Sequence, residues 1–343
     1  MKSKKEDKKK RRVTSAISFV VGILIFLGIF WAMGPESIDA VKNNANWILL
    51  IPAFAFGAAS VFTRATKLKL LLKSHGHRVN FFKVLKYDIA GYSISYLTPS
   101  AKVGGEPLKA YMLKKEQNIP LKTSGSTVTI DKFVELMGTI IVGLVGFSML
   151  LFLPEISSST KTTLLSVLLL ASAFLFFVYF WTVKGKGPFT TLFNLLRFYK
   201  IKKFKKFGTF IKKVETKMKN FFVNNKKSFF FSLLIYLLFV FFQVMEFKFI
   251  LMAIGFDATM FESVLAIVVF GIAGLIPVPG GLGFQEAGHS GLFAVLRDSG
   301  GVGLVFSLIV RIRYLALAGI GFTIITHFSS NEIVQKFKKL KSR

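Results

Sequence analysis

Leu275-Ile-Pro-Val-Pro-Gly-Gly-Leu-Gly-Phe-Gln-Glu-Ala-Gly288 is the stretch whose reading decides the fold. It lies inside apolar sequence, yet its fourteen residues hold two prolines, four glycines and a carboxylate. Pro277 and Pro279 each remove a backbone donor and resist helix. Gly280, Gly281 and Gly283 permit backbone angles that other residues avoid. Hydrocarbon tolerates irregular backbone only where protein or a wet cavity covers it. A break of this kind at membrane depth points to a site.

The sequence on either side does read as membrane. The chain has 343 residues, 52% of them hydrophobic and 40 of them Phe. Its mean hydropathy is +0.56. The apolar residues fall into blocks long enough to span: 13–33, 47–62, 124–153, 161–183, 228–254 and 301–327. Residues 1–12 are basic, and no small-residue cleavage site follows the first block, so an uncleaved first span is expected. The net charge is +29, from 46 Lys+Arg against 17 Asp+Glu. On a membrane protein that excess is an orientation signal first and an attraction to anionic inner-leaflet lipid second. No nucleic-acid reader accompanies it, and no nucleic-acid partner is expected. The absence of cysteine excludes disulfides and thiolate metal sites.

Loop charge decides the topology. Five groups, at 2–12, 64–86, 102–122, 184–227 and 328–343, carry 39 of the 46 basic residues. The turns at 34–46, 154–160, 255–262 and 297–300 are acidic or balanced. The positive-inside rule places the five basic groups, and with them both termini, in the cytoplasm of a multi-pass cell-membrane protein. This works only if 87–116 enters and leaves on the cytoplasmic side and 261–296 enters and leaves on the outer side. The expected fold is therefore an all-α integral membrane protein, a polytopic helix bundle with two re-entrant broken-helix hairpins. The hairpins fall at corresponding places in an inverted-repeat arrangement, as in transporters that bind substrate near the midplane. In this reading 1–12 is a basic cytoplasmic N-terminus and 13–327 is the membrane domain. Within it, 13–160 is the first repeat and 161–327 the inverted second. The stretch 184–227 is a basic amphipathic segment on the cytoplasmic leaflet, and 328–343 is a basic cytoplasmic tail.

The first hairpin breaks at Pro99, Gly104 and Gly105, and Glu106 and Pro107 then start a helix. The second breaks at Pro277, Pro279, Gly280, Gly281 and Gly283, and Glu286 lies in the first turn of the helix that follows. Helix N-termini carry unsatisfied N–H groups and partial positive charge, so both tips suit an anionic group such as a lipid phosphate. The same glycines also suit close helix packing. Asp131, Lys132 and Glu135 start the 124–153 span, with Lys132 and Glu135 spaced to pair. They stand either at the interface or inside the span, where ionisable groups are functional candidates. Arg311 and Arg313 lie mid-span. Two apart on a helix, they point about 200° from each other and cannot both face one ligand. One is expected to meet an anionic headgroup and the other a carboxylate such as Glu286, Glu246 or Glu106. Lys109 completes the candidate substrate-binding set of Glu106, Lys109, Asp131, Lys132, Glu135, Glu286, Arg311 and Arg313. No metal site and no cofactor are expected. There is no phosphate-binding Gly-x-x-x-x-Gly-Lys-Ser/Thr loop, no His-Glu-x-x-His and no Gly-x-Ser-x-Gly turn.

Three segments carry a family resemblance: Thr98-Pro-Ser-Ala-Lys-Val-Gly-Gly-Glu-Pro-Leu-Lys109, Val128-Thr-Ile-Asp-Lys-Phe-Val-Glu135, and Ile276-Pro-Val-Pro-Gly-Gly-Leu-Gly-Phe-Gln-Glu-Ala-Gly288. Together and in order they resemble the membrane domain of lysylphosphatidylglycerol synthase/flippase proteins and their stand-alone relatives. In the first, Glu106 and Lys109 stand where the family has Asp and Arg. In the second, Lys132 stands for Arg. Lysine keeps the charge but lacks the bidentate fork of arginine. The resemblance implies lipid translocation: movement of an anionic or aminoacylated phospholipid such as lysyl-phosphatidylglycerol, or of a polyprenyl-linked lipid, between leaflets. In the family this lowers surface negative charge and gives resistance to cationic antimicrobial peptides. The synthase half is a separate soluble domain, expected here only as a separate partner, so the chain is read as a transporter more than an enzyme. Two alternatives stay open: a phosphatidylglycerol lysyltransferase drawing on lysyl-tRNA, and a membrane scaffold for a lipid or glycan synthase.

Overall fold

The computed structural model describes residues 22–32, 44–99, 103–151, 225–274 and 276–341, with isolated positions at 20 and between 162 and 224. The expectations for 1–12, for most of 161–183 and for most of 184–227 fall outside the described residues. Every regular element described is helical. A short apolar helix α1 (Gly22–Ala32) is followed by α2 (Leu50–Ser74), α3 (Phe81–Leu97), α4 (Glu106–Gln117) and α5 (Leu121–Leu150). Then come α6 (Lys226–Ala253), α7 (Met260–Ala273), α8 (Phe284–Arg297) and α9 (Gly300–Lys341). Among the described residues, Trp47–Ser74, Lys226–Ala253 and Gly300–Ser330 are long and apolar enough to cross a membrane, with mean hydropathies of 1.7, 2.2 and 1.8. The protein is an all-α membrane helix bundle.

Two boundaries differ from the sequence reading. The second span was expected to stop near residue 62, with a basic loop after it. Helix α2 instead runs on to Ser74. No breaker interrupts 63–74, and Ala65, Leu68, Leu71 and Leu72 recur at helical spacing and are all fully buried. The last span was expected to end at 327, yet α9 continues to Lys341, so the basic tail extends the same helix.

The chain divides into two compact units. The first is Met1–Phe62, Phe82–Met112 and Val240–Arg343; the second is Thr63–Phe81 and Leu113–Phe239. In the first, α3 and α4 form one antiparallel hairpin and α7 and α8 another. The first hairpin closes at its tip because neither Gly91 nor Gly105 has a side chain. A Cβ on Gly105 would strike the Gly91 carbonyl, and the Gly105 N–H donates to Ser95 Oγ at 2.9 Å. The second hairpin is pinned at its open end. Arg297 Nε, in the last turn of α8, lies 2.8 Å from Glu262 in the first turn of α7. Glu262 also makes a reciprocal cap with Thr259, and Phe256 and Phe293 meet edge to face, centroids 5.2 Å apart.

Small residues let other helices approach. Gly22 of α1 faces Leu282 at the second tip, Gly303 faces the His289 carbonyl, and Gly321 of α9 faces Ser93 and Ile89 of α3. Before α2, the Asn46 N–H donates to Ala253 at the end of α6 at 2.8 Å. These turns, 44–46 and 253–255, therefore lie at the same end of the unit.

In the second unit, α5 packs Val128, Ile130 and Val134 inward. Gly138 lets Tyr236 lie against it, and the Tyr236 hydroxyl pairs with Thr139 at 2.7 Å.

Candidate functional site

The break at 276–283 is a compact turn. Gly280, Gly281 and Gly283 have φ of +57°, +62° and +79°, a region L side chains rarely adopt. Helix α8 starts after it, and Glu286 in its first turn reaches back: Oε2 accepts from the Gly283 N–H at 2.8 Å. The other carboxylate oxygen accepts from Arg311 Nε of α9 at 2.6 Å. Arg311 Nη2 approaches the same oxygen at 2.5 Å, and Nη1 lies 3.4 Å from the Gly280 carbonyl. Glu286 is fully buried. The anionic position at this helix start is thus held by the protein's own carboxylate.

Arg313 does not face that tip. Its Nε lies 2.9 Å from Glu246 Oε1 of α6. Its Nη2 donates to the Gly57 carbonyl at 2.7 Å and to Ser60 Oγ at 3.2 Å on α2. Its guanidinium carbon sits 4.5 Å from the Tyr314 ring centre. Gly57 leaves room for this group: a Cβ would lie 2.8 Å from the Glu246 carboxylate and 3.0 Å from Arg313, so a side chain there would push one of them aside. The opposite directions expected for the two arginines hold, but both end on carboxylates. The carboxylate pairing expected for one of them is thus found for both, Arg311 with Glu286 and Arg313 with Glu246. Within one turn of the same helix the two guanidiniums take different partners because they leave opposite faces of it, and each, largely buried, is neutralised by the carboxylate on its own side.

At the first tip, Lys109 of α4 reaches Asp88 Oδ1 of α3 at 3.0 Å and Glu106 Oε1 at 3.4 Å. All three are buried. The lysine stem crosses Gly91, where a Cβ would collide with it. Asp88 is the member of this group that stands outside the candidate set drawn from the sequence. The hairpin register supplies the signal: with Gly91 opposite Gly105, antiparallel pairing brings 88 near 109.

The two tips meet. The Tyr96 ring, one residue from the end of α3, lies against Gly280: a Cβ there would fall 2.9 Å from Tyr96 Cζ and 3.1 Å from its hydroxyl. Tyr96 stacks with Tyr92 (centroids 5.7 Å) and with Tyr314 (6.1 Å), and Tyr314 stacks on Phe270 of α7 at 5.0 Å. Gln243 of α6 donates to the Tyr314 hydroxyl at 2.6 Å. An aromatic wall thus joins both hairpins to α9. His289 is buried beside Phe247 and Phe306, and its Nε2 lies 3.1 Å from the Ala266 carbonyl, so Nε2 carries the proton.

Asp131, Lys132 and Glu135 belong to the second unit. Asp131 is buried and pairs with Lys67 of α2 at 3.2 Å. Lys132 pairs with Glu135 at 3.0 Å, as their spacing implied. Lys67 falls in the basic group 64–86, whose charge alone does not reveal that it lies in a helix and faces Asp131. Among the described residues no group of three His, Cys, Asp or Glu converges as a metal set.

Comparison with known proteins places these features in a wider set. A family model described as the lysylphosphatidylglycerol synthase TM region matches residues 16–321. A UPF0104 membrane protein of Methanothermobacter thermautotrophicus is 23% identical over 339 residues, covering 95% of this chain and 98% of that one. One from Pyrococcus horikoshii is 24% identical over 290 residues, 80% of this chain and 85% of that one. One from Archaeoglobus fulgidus is 31% identical over 121 residues, 35% of this chain. That match, like the one to a relative from Methanocaldococcus jannaschii, spans only 36% of the relative's length.

Proposed function

The chain belongs to the lysylphosphatidylglycerol synthase transmembrane-region family, and from that premise we propose that it is a lipid translocase. Its substrate is an anionic or aminoacylated phospholipid, or a polyprenyl-linked lipid, carried between leaflets. The observation that carries the reading is the meeting of two broken-helix tips at Tyr96 and Gly280, each tip backed by buried ion pairs. In a membrane, irregular backbone is tolerated only where protein or a wet cavity covers it, and ionisable side chains mark candidate substrate paths.

In this reading both hairpins are re-entrant. Helices α7 and α8 have 14 residues each, about 21 Å of helix, against roughly 30 Å of hydrocarbon. The headgroup passes between the tips. Its phosphate is received by Arg311 and the α8 N-terminus, or by Lys109 and the α4 N-terminus. An aminoacyl ammonium, where present, is received by Asp88, Glu106 or Glu286. Movement of one hairpin against the other, with the termini in the cytoplasm, alternates access. Asp131, Lys132 and Glu135 remain candidate headgroup-binding residues of the second unit by itself, and a separate synthase supplies an aminoacylated lipid.

The direct test is a proteoliposome assay with fluorescent phosphatidylglycerol, lysyl-phosphatidylglycerol and a polyprenyl phosphate. Transbilayer movement faster than in empty liposomes for at least one lipid is expected. Rates equal to empty liposomes for all three would remove the reading. Lysyl-phosphatidylglycerol appearing in lipid extracts of a host expressing this chain alone would favour the transferase instead.

A further inference from the structure

Three groups able to hold an anion converge at the second tip: the Arg311 guanidinium, the N-terminal turn of α8 and the Tyr96 hydroxyl. The first two already hold one, the Glu286 carboxylate. The third does not. Tyr96 is 7% exposed; its hydroxyl oxygen lies over Gly280 and beside the Arg311 guanidinium, a donor, and no acceptor is aligned with its proton. A buried hydroxyl whose proton lacks an acceptor is costly, and this one faces the position where charge is concentrated. The site therefore has one more donor than its resident carboxylate uses.

We infer that Glu286 is a resident stand-in for the transported anion. A phosphate-class group displaces it from Arg311 and the α8 N-terminus, takes the Tyr96 hydroxyl as an additional donor, and is expelled when Glu286 returns. The idea rests on the translocase reading and adds to it a residue that sets both affinity and release. A carboxylate has two oxygens, and Glu286 spends one on Arg311 and the other on Gly283. A phosphodiester also has two charged oxygens, but they diverge tetrahedrally from a larger centre and each accepts more than one hydrogen bond, so one meets Arg311 and Tyr96 while the other meets the Gly283 N–H. The competition is geometrically simple, because Glu286 sits in the first turn of α8 and Arg311 on a separate helix. Arginine's planar fork passes from carboxylate to phosphate without changing its own shape.

The test is equilibrium binding to the full chain in detergent, read by calorimetry, with three probes: dioctanoyl phosphatidylglycerol, inorganic phosphate and uncharged dioctanoylglycerol. Glu286→Gln keeps an oxygen for the Gly283 N–H and removes the competing charge. It is expected to bind the phospholipid at least five-fold more tightly than the unaltered chain, and to move lipid more slowly in liposomes because release is lost. Tyr96→Phe keeps the ring packing and is expected to bind three-fold or more weakly, with a melting temperature that is not lowered. Dioctanoylglycerol is expected not to bind. Tighter binding confined to the phospholipid identifies a lipid headgroup as the source of the anion, and equal tightening for inorganic phosphate identifies a soluble one. Unchanged or weaker binding of both phosphate probes by Glu286→Gln overturns the inference, as does absence of binding by the unaltered chain. Should Glu286→Gln misfold, unchanged affinity in Tyr96→Phe overturns it. Liposome rates equal to those of empty vesicles, with this affinity pattern intact, would count against the translocase reading and leave the exchange site standing.

Discussion

Lys109 reaches across the first hairpin to Asp88, 3.0 Å away, passing over the bare backbone of Gly91. Both side chains are buried, and Lys109 also lies 3.4 Å from Glu106. Such a group binds the two limbs of the hairpin only while all charges are present. Removing the lysine leaves carboxylates without their shared cation in a site closed to water.

Lys109→Met is therefore expected to be the most destabilising single change in this hairpin, at about 3–5 kcal/mol. Asp88→Asn, which keeps a hydrogen-bond acceptor for Lys109, is expected to cost less than half as much. Thermal unfolding in detergent reads both. A Lys109→Met melting temperature equal to that of the unaltered chain would show that the ion pair does not hold the hairpin.

Gly105→Ala tests the same tip by shape. The added methyl would run into the Gly91 carbonyl, which is backbone and cannot rotate away. Overpacking of this kind costs about 1–3 kcal/mol, and here the hairpin limbs must part to relieve it. Gly125→Ala is the control, because a Cβ there meets nothing within 4 Å. Limited proteolysis near 99–105 is expected to quicken in Gly105→Ala and not in Gly125→Ala. Equal protection of the two would contradict the close approach.

Arg313 and Glu246 bind α9 to α6, while Arg313 also holds α2 through Gly57 and Ser60. Either Arg313→Met or Glu246→Leu alone is expected to cost about 3–5 kcal/mol, whereas the double variant returns to within about 1 kcal/mol of the starting stability. The double variant is also expected to keep lipid movement, because neither residue faces the Tyr96–Gly280 contact between the tips. Recovery of stability without recovery of transport would assign the pair to the substrate path instead.

Parts of this arrangement were legible in the sequence for a clear reason. Pro277, Pro279 and their glycines, and Pro99 with Gly104 and Gly105, are local signals: each says where helix stops without help from the rest of the chain. The divergence of Arg311 and Arg313 is also local, since it follows from helical rotation alone. What stayed hidden depends on partners far away in sequence. The continuation of α2 past residue 62 rests on burial of Leu68, Leu71 and Leu72 and on the meeting of Lys67 with Asp131, 64 positions later. In a charge count, Lys67 looked like any other loop lysine. Likewise, nothing local marks Asp88 as Lys109's partner or Glu246 as Arg313's. Only the hairpin register and the helix packing decide those.

The sidedness of the two hairpins can be settled with single cysteines, because the chain has none of its own. The second hairpin's ends are tied by Glu262 and Arg297, with the Arg297 guanidinium carbon 5.5 Å from the Phe256 ring centre. Limbs of 14 residues joined at one end cannot have that end on two sides of a bilayer. Asp257→Cys and Ser299→Cys are therefore expected to react with an impermeant maleimide from the same face of the membrane. The positive-inside rule makes that the outer face, and places Lys83→Cys and Lys114→Cys together on the inner one. Whole-cell labelling before and after permeabilisation separates the cases. If Asp257→Cys and Ser299→Cys reacted from opposite faces, the second hairpin would be a full crossing. If Lys83→Cys and Lys114→Cys did so, the first would be. Either result would end the inverted pairing of the two, since a hairpin that crosses fully reverses the orientation of everything after it.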